Sequence, residues 1–257
     1  MSGQLAVSGL SVSFGGVPVL AGVSLTLGRA ESLSIVGESG SGKSTLAMAI
    51  AGLLPPDAAV SGTIDWQASG RPPRCGPDVG VIFQDPAGSL DPVMPAGSQI
   101  AEVARANLGV PAGEARRMAR EMLVRVGFPD PDPFLSAFSH QLSGGQAQRI
   151  AIACALAARP KLLIADEATS ALDTIVQAEI ASLLERLVAE EGLSLLFITH
   201  DLALARRMSG RVAVLRAGHI VREGPFDDVL RDPGDAYVRR LLDSRIGLSD
   251  PPLAARP

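Results

Sequence analysis

The chain carries the octapeptide Gly37-Glu38-Ser39-Gly40-Ser41-Gly42-Lys43-Ser44 directly after the apolar segment Leu33-Ser34-Ile35-Val36. Gly, four residues of any type and then Gly-Lys-Ser is the pattern of a phosphate-binding loop, which requires a strand before it and a helix after it. The apolar segment predicts that strand, and residues 43–53, which Pro55-Pro56 would stop, predict the helix. The alternative, an ordinary Gly/Ser turn, is disfavoured because strand, pattern and helix occur together. The octapeptide therefore predicts nucleotide binding within an α/β fold.

Each part of this loop has a physical role. The glycines let the backbone curl so that successive N–H groups point at phosphate oxygens, and the helix N-terminus adds partial positive charge. We expect Lys43 to reach the β- and γ-phosphates and the Ser44 hydroxyl to hold Mg²⁺, with Thr45 beside the α-phosphate. Of the 23 basic residues only Lys43 and Lys161 are lysines. Because nearly every other basic residue is an arginine, the lysine at position 43 indicates that a compact ammonium is required there. The alternative is that this lysine occurs by chance.

The bulk properties exclude several classes of protein. The net charge of -4 argues against nucleic acid as a partner bound by phosphate neutralisation. No segment approaches the ~18 uninterrupted apolar residues of a membrane-spanning helix. Cys75 and Cys154 match no disulfide or metal spacing, and residues 1–10 lack the pattern of a secretory signal. We therefore expect a cytosolic protein.

Two adjacent acids form the next chemical signal. Leu162-Leu163-Ile164-Ala165 predicts a buried strand that delivers Asp166 and Glu167 at its carboxyl end, the edge at which such sheets bind ligands. Asp166 fits a partner of Mg²⁺, and Glu167 fits a general base that polarises the attacking water. Solvated acids at a strand end are the alternative, which the upstream phosphate loop disfavours.

A second anion site is predicted far along the chain. Leu142-Ser143-Gly144-Gly145-Gln146 opens a predicted helix over 146–158, with Ser143 as its N-cap. The two glycines leave backbone N–H groups uncovered at the positive end of the helix. One chain would then contain two helix ends that bind phosphate. This is explained if a second chain associates with it and the pentapeptide of that second chain contacts the γ-phosphate.

Strands and helices alternate along the chain, which predicts a mostly parallel sheet with helices on its faces. Alternating apolar residues over 5–27 predict β-hairpins, and residues 67–78 read as an exposed loop. Helices are predicted over 97–108 and 113–126.

In their order over residues 3 to about 243, these motifs resemble those of the nucleotide-binding subunits of ATP-binding cassette (ABC) transporters. The resemblance implies a P-loop NTPase (RecA-like) core with an antiparallel β subdomain and an inserted α-helical subdomain. We assign residues 1–245 to this domain, with 1–84 and 159–245 as the core and β subdomain and 85–158 as the helical subdomain. Residues 246–257 are assigned to a C-terminal tail.

The resemblance also implies roles for single residues. Phe14 resembles the aromatic that stacks on adenine, usually a Tyr. Gln84 resembles the glutamine that contacts Mg²⁺ and the attacking water and senses the membrane subunit. His200, after Phe197-Ile198-Thr199, resembles the histidine that holds the γ-phosphate, whereas His140 and His219 are interpreted as structural.

Other carried-over residues belong to the interface between two ATPases. Ser143 and Gly145 resemble the family signature, and Ser170-Ala171-Leu172-Asp173 resembles the loop whose aspartate, Asp173, crosses the interface. The chain departs from the family at Ala168, where Pro is common, and at Cys154, where Arg is frequent. Neither departure touches the chemistry.

The stretch 83–94, Phe-Gln-Asp-Pro-Ala-Gly-Ser-Leu-Asp-Pro-Val-Met, is similar to that of ATPases in the dipeptide, oligopeptide and nickel importer group. Residues 234–242, with Tyr237, resemble a worn version of that group's His-Pro-Tyr-Thr segment. This similarity implies ATP-driven uptake of a peptide, nickel or a related small solute. The implied partners are two membrane permease subunits, a second ATP-binding subunit of the same or a different chain and, indirectly, a solute-binding protein. The implied location is the cytoplasmic face of a bacterial-type inner membrane.

Two other classes compete with a transporter subunit. Soluble ABC ATPases that remodel DNA, ribosomes or Fe–S assemblies usually show tandem cassettes, a coiled-coil insertion or zinc cysteines, and none appears in the sequence. A P-loop kinase gives no reason for the pentapeptide at 142–146.

Overall fold

The computed structural model describes residues 3–170 and 172–243. The predicted tail, 246–257, lies outside the described residues, and so does Ala171. Within the described ranges, no helix combines the length and the apolar character that crossing a membrane requires.

A three-stranded antiparallel sheet forms one layer, with β1 (Leu5–Phe14) paired on either side with β2 (Val17–Leu27) and β4 (Ala58–Trp66). The predicted hairpin of β1 and β2 is confirmed, because alternate apolar side chains along both strands are buried in one core. Strand β4 was not predicted. This strand at the edge of the sheet is largely exposed and rich in small and polar residues, so it lacks a clear apolar alternation.

The second sheet has six strands in the order β5-β6-β7-β3-β8-β9. The strands are β3 (Ser32–Val36), β5 (Val79–Ile82), β6 (Leu162–Asp166), β7 (Ser194–Thr199), β8 (Arg211–Arg216) and β9 (His219–Pro225). All neighbours are parallel except β9, which returns antiparallel along β8. The central strands β6 and β7 are buried throughout, as expected for a sheet covered on both faces. The predicted α/β class is confirmed.

Helix α1 (Lys43–Ala51) begins within the octapeptide. It ends two residues earlier than predicted, and its end is set by Gly52 rather than by Pro55-Pro56. Gly52 adopts a left-handed conformation, with φ at 70°, and its N–H caps the last carbonyls of the helix.

Five helices lie between β5 and β6: α2 (Pro86–Ser89), α3 (Ala96–Leu108), α4 (Ala112–Arg125), α5 (Asp132–Leu135) and α6 (Gly144–Ala157). The predicted helices over 97–108 and 113–126 are confirmed with one-residue shifts. Helix α6 begins at Gly144 rather than at residue 146, because the Ser143 cap precedes both glycines. The short helix α2 was not predicted; its signals are the Asp85 cap, which accepts a hydrogen bond from Gly88 N, and Pro86 at its first position.

The remaining helices are α7 (Thr174–Glu191), α8 (Leu202–Met208), α9 (Phe226–Arg231) and α10 (Ala236–Asp243). Apolar residues at helical spacing, Ile180, Leu183, Leu184 and Leu187, form the buried face of α7, and α8 buries Leu202, Leu204, Ala205 and Met208. Helices α9 and α10 are short and were not predicted. Both pack into a separate apolar cluster that also contains residues of β3, β8 and α8.

Candidate nucleotide site

Three adjacent strands end together at one edge of the large sheet. Val36 at the end of β3 pairs with Thr199 at the end of β7, and Asp166 at the end of β6 pairs with Ile198. The octapeptide, Asp166-Glu167 and His200 follow these strand ends. The parallel register therefore gathers segments from between positions 37 and 200 at the edge where such sheets bind ligands.

The loop needs glycine at both of its ends. A Cβ on Gly37 would lie 2.1 Å from the Leu215 carbonyl oxygen, so any side chain would push the loop off β8. Gly42 has φ at 103°, and a Cβ there would lie 2.7 Å from Leu20 Cδ2. These constraints make the loop a fixed backbone turn that leads directly into α1.

Lys43 is buried, and its ammonium lies inside the loop. Its Nζ donates to the carbonyl oxygens of Gly37 at 3.0 Å and Glu38 at 2.9 Å. Glu167 Oε1 lies 3.8 Å from the same Nζ. Burial lowers the pKa of Lys43, and the negative charges of Glu167 and Asp166 raise it in part. The ammonium is thus held by carbonyls that phosphate oxygens could replace.

Glu167 stands at the centre of the polar contacts. Gln84 Nε2 donates to Oε2 at 3.2 Å, and His200 Nδ1 lies 3.6 Å from Oε1. The backbone of Glu167 has φ at 47°, a conformation that non-glycine residues rarely adopt. It is held there because Glu167 N donates to Ile198 O at 2.9 Å, and both the N–H and the hydroxyl of Ser170 donate to the Glu167 carbonyl. Such outliers cluster at functional sites.

Asp166 is only 6% exposed, and its Oδ1 has no hydrogen-bond partner among the described residues. Burial raises the pKa of Asp166, while a hydrogen bond with the Ser44 side chain opposes that rise. A buried carboxylate oxygen without a partner beside a serine hydroxyl is a costly arrangement for the isolated protein. It suits a hard divalent cation that takes oxygen ligands, so these residues fit Mg²⁺.

A cleft of about 220 Å³ opens between these groups. It is lined by Val19, Ser39, Gly40, Gly42, Lys43, Ser44, Thr45, Gln84 and Glu167. Eight of these nine residues were selected from the sequence. Val19 was missed: its carbonyl would lie 3.0 Å from a Cβ on Gly42, a proximity set by the packing of β2 on the loop that no local pattern reveals.

Of the predicted residues that do not line this cleft, four belong neither to the octapeptide nor to the contacts of Asp166 and Glu167. Phe14 is the last residue of β1 and packs, half-buried, against the core of the antiparallel sheet. Ser143 caps α6: its hydroxyl accepts from Gln146 N at 3.3 Å, and its own N–H donates to Gln146 Oε1. Asp173 caps α7 by accepting from the N–H groups of residues 175 and 176. A Cβ on Gly145 would lie 2.8 Å from Val176 Cγ1, so this glycine allows α6 to approach α7.

Tyr237 has no role predicted from the sequence, yet its hydroxyl contacts the loop directly. Glu38 N donates to Tyr237 Oη at 3.0 Å. The two residues lie 199 positions apart, and only the packing of α10 brings them together.

Comparisons with known proteins agree with this geometry. A family model described as "ABC transporter" matches residues 20–170. The chain is 42% identical over 254 residues to the oligopeptide transport ATP-binding protein OppD of Bacillus subtilis (strain 168), covering 93% of this chain and 71% of that protein. It is 45% identical over 252 residues to the peptidoglycan transport ATP-binding protein YejF of Agrobacterium fabrum, covering 93% of this chain and 46% of that relative, so it spans less than half the length of YejF.

Solved structures of ATP-binding cassettes are also similar to this chain. The ATP-binding cassette MJ0796, determined as a dimer in a post-hydrolysis state bound to ADP and Pi, superposes with a TM-score of 0.73 at 28% identity. That match covers 86% of this chain and 98% of the solved one. The neighbour therefore has this fold and holds a hydrolysed nucleotide.

Proposed function

This chain belongs to the ABC transporter family and is an ATPase of that family, and from this membership we propose that it powers an importer of peptides or related small solutes. The match to OppD over 93% of the chain carries the proposal. Relatives named for oligopeptide, dipeptide and peptidoglycan transport support a peptide-like cargo over nickel. The cargo itself would pass through separate permease subunits.

The proposed chemistry starts from Lys43 and Glu167. Lys43 would exchange its two carbonyl partners for phosphate oxygens of ATP. Glu167, released from Lys43, would accept the proton of the attacking water. His200, whose Nδ1 lies 3.6 Å from the carboxylate, would hold the γ-phosphate on the other side.

The proposed metal site uses oxygen atoms of this chain. Ser44, Gln84 and Asp166 would hold Mg²⁺, and the unpartnered Oδ1 of Asp166 supports this assignment. When bound, the ion neutralises charge that develops on the phosphates. Gln84 would link metal binding to hydrolysis because its amide already contacts Glu167.

The proposed active unit is a dimer of ATP-binding subunits. Ser143, Gly145 and Asp173 lie outside the cleft, which supports a role toward the nucleotide of a second chain. The neighbouring cassette was solved as a dimer, and that agrees with this arrangement. Phe14, beside the turn of the β1–β2 hairpin, would stack on adenine.

The proposed permease contact is a second, larger cleft of about 350 Å³ that shares no lining residue with the first. Its lining comes from β5, α2, α3 and α6 and includes Phe83, Ser89 and Leu90. Phe83 is 38% exposed, although it is a large apolar residue next to the catalytic glutamine. A short cytoplasmic helix of a permease would fit there and would place the chain on the inner face of the membrane.

Complementation of growth tests the proposed cargo. In a strain that lacks this gene, we expect growth on an oligopeptide as sole source of a required amino acid to return with the wild-type chain and with Lys161→Arg. Glu167→Gln should fail to restore growth. Restoration of nickel-dependent growth without peptide-dependent growth would refute the peptide assignment while leaving the ATPase assignment intact.

A further inference from the structure

A hydrogen bond joins the entry of the phosphate loop to a distant part of the chain. Tyr237, in the first turn of α10, is 3% exposed, and its hydroxyl accepts a hydrogen bond from Glu38 N at 3.0 Å. The ring is embedded among apolar residues of β3, α8, β8 and α9. The Arg216 guanidinium lies over its face, 4.8 Å from the centroid. Packing of the ring therefore holds the hydroxyl in place.

Glu38 is the second residue of the loop, and both its backbone groups are engaged. Its N–H points to Tyr237 rather than into the cleft. Its carbonyl oxygen accepts from Lys43 Nζ at 2.9 Å and from Ser41 N at 3.2 Å. One residue thus connects α10 on one side to the phosphate-binding lysine on the other.

The preceding residue is also fixed. Gly37 lies against the Leu215 carbonyl so closely that a Cβ would have no room. The next residue of β8 is Arg216, which lies over the Tyr237 ring. The entry of the loop is therefore clamped between the end of β8 and the first turn of α10.

We propose that Tyr237 is a positioning residue for nucleotide binding, whose hydroxyl holds the Glu38 peptide so that the phosphate loop is formed before ATP arrives. A loop that is ordered in the free protein pays less ordering entropy on binding. Without the hydroxyl, the Glu38 N–H loses its partner and the loop entry can sample other orientations. The cost would appear as weaker nucleotide binding, not as slower chemistry, because Tyr237 does not touch the cleft.

Tyr237→Phe tests this proposal on the purified full-length chain. The variant keeps the ring, its packing and the contact with Arg216, and it removes only the hydroxyl. By calorimetric titration we expect the Kd values for ATP and ADP to rise about three- to tenfold, the range of one lost neutral hydrogen bond. Steady-state hydrolysis should show a raised KM with kcat unchanged.

Val238→Ala is the matched control. Val238 is the next residue of α10, is 1% exposed and belongs to the same apolar cluster, but it has no polar atom near the loop. This variant should lower the Tm while leaving both Kd values unchanged; Val229→Ala on α9 serves if Val238→Ala does not fold. Kd values for Tyr237→Phe within a factor of about 1.5 of wild type would overturn the proposal. An equal weakening in the Val variant would also overturn it, because loose packing would then explain the effect.

Because these titrations need no permease, their failure leaves the importer function untouched. Conversely, loss of the transport assignment would leave the role of Tyr237 in place.

Discussion

Replacing Glu167 with Gln should separate ATP binding from ATP hydrolysis. The amide has the size of the carboxylate and can keep the contact with Gln84, now 3.2 Å. It removes a negative charge 3.8 Å from Lys43 Nζ, an attraction of about 4 kcal/mol at an effective dielectric constant near 20. That attraction competes with ATP phosphates for the ammonium, so its loss should leave ATP affinity equal or tighter.

Turnover should respond in the opposite way. An amide cannot accept the proton of the attacking water, and the loss of a general base typically costs about 10²–10⁴-fold in rate. This corresponds to about 3–5 kcal/mol of transition-state stabilisation at roughly 1.4 kcal/mol per decade. Titration of a fluorescent ATP analogue and steady-state phosphate release measure the two effects on the same sample.

Glu190→Gln is the control for this prediction. Glu190 is an exposed acid of α7 that pairs with Arg186 four residues before it. Its substitution should therefore change neither the ATP affinity nor the turnover. Normal turnover in Glu167→Gln would remove the general-base assignment. A large loss of ATP affinity would show instead that the carboxylate supports the binding geometry.

Lys43→Arg should weaken ATP binding at least tenfold, because a planar guanidinium cannot occupy the buried ammonium position between two carbonyls; Lys161→Arg, at the exposed lysine, should bind normally in the same titration. Asp166→Asn should abolish the Mg²⁺ dependence of ATP binding yet raise the nucleotide-free Tm by about 2–4 °C, the shift expected if neutralising a buried carboxylate that has one unpartnered oxygen relieves about 1 kcal/mol. Because burial raises the pKa of Asp166, its destabilising effect on the nucleotide-free protein should grow as pH rises above 3.8 through the raised value, so the Tm advantage of the variant should vanish at lower pH. Ser143→Arg should leave the ATP Kd of the monomer unchanged while preventing ATP-dependent dimerisation of the Glu167→Gln protein in size-exclusion chromatography; a dimer that persists would contradict the composite site. Asp91→Arg, at an exposed position beside the larger cleft, should bind ATP normally but fail to co-purify with the permease, and normal co-purification would locate the docking surface elsewhere.

The sequence predicted the parts of the fold that rest on local patterns. The octapeptide and the apolar segments before it and before Asp166 identified β3, α1 and β6, because a buried parallel strand and a phosphate loop each have a distinctive local composition. The edge strand β4 and the short helices α9 and α10 have no such composition. Their positions follow from tertiary packing, which overrides weak local preference.

The same distinction applies to the candidate site. Glu167 could be selected because it follows a buried apolar strand, and Gln84 and His200 could be selected because the segments before them resemble those of the family. The parallel register then brings Gln84 and His200 within contact of Glu167. Val19 and Tyr237 reach the loop through the hairpin and α10. The proximity of these two residues to the loop depends on how the hairpin and α10 pack in the tertiary structure. No spacing of residue types in the sequence encodes that packing.

Uptake by reconstituted vesicles tests the central claim most directly. The vesicles would contain the permease subunits and this chain with ATP in the lumen, and the solute-binding protein and a radiolabelled oligopeptide would be outside. We predict that label accumulates in the lumen with ATP hydrolysis, and that Glu167→Gln reduces both rates by the same factor, at least 10²-fold. Accumulation that proceeds without ATP, or that is undiminished in the Glu167→Gln vesicles, would contradict the account.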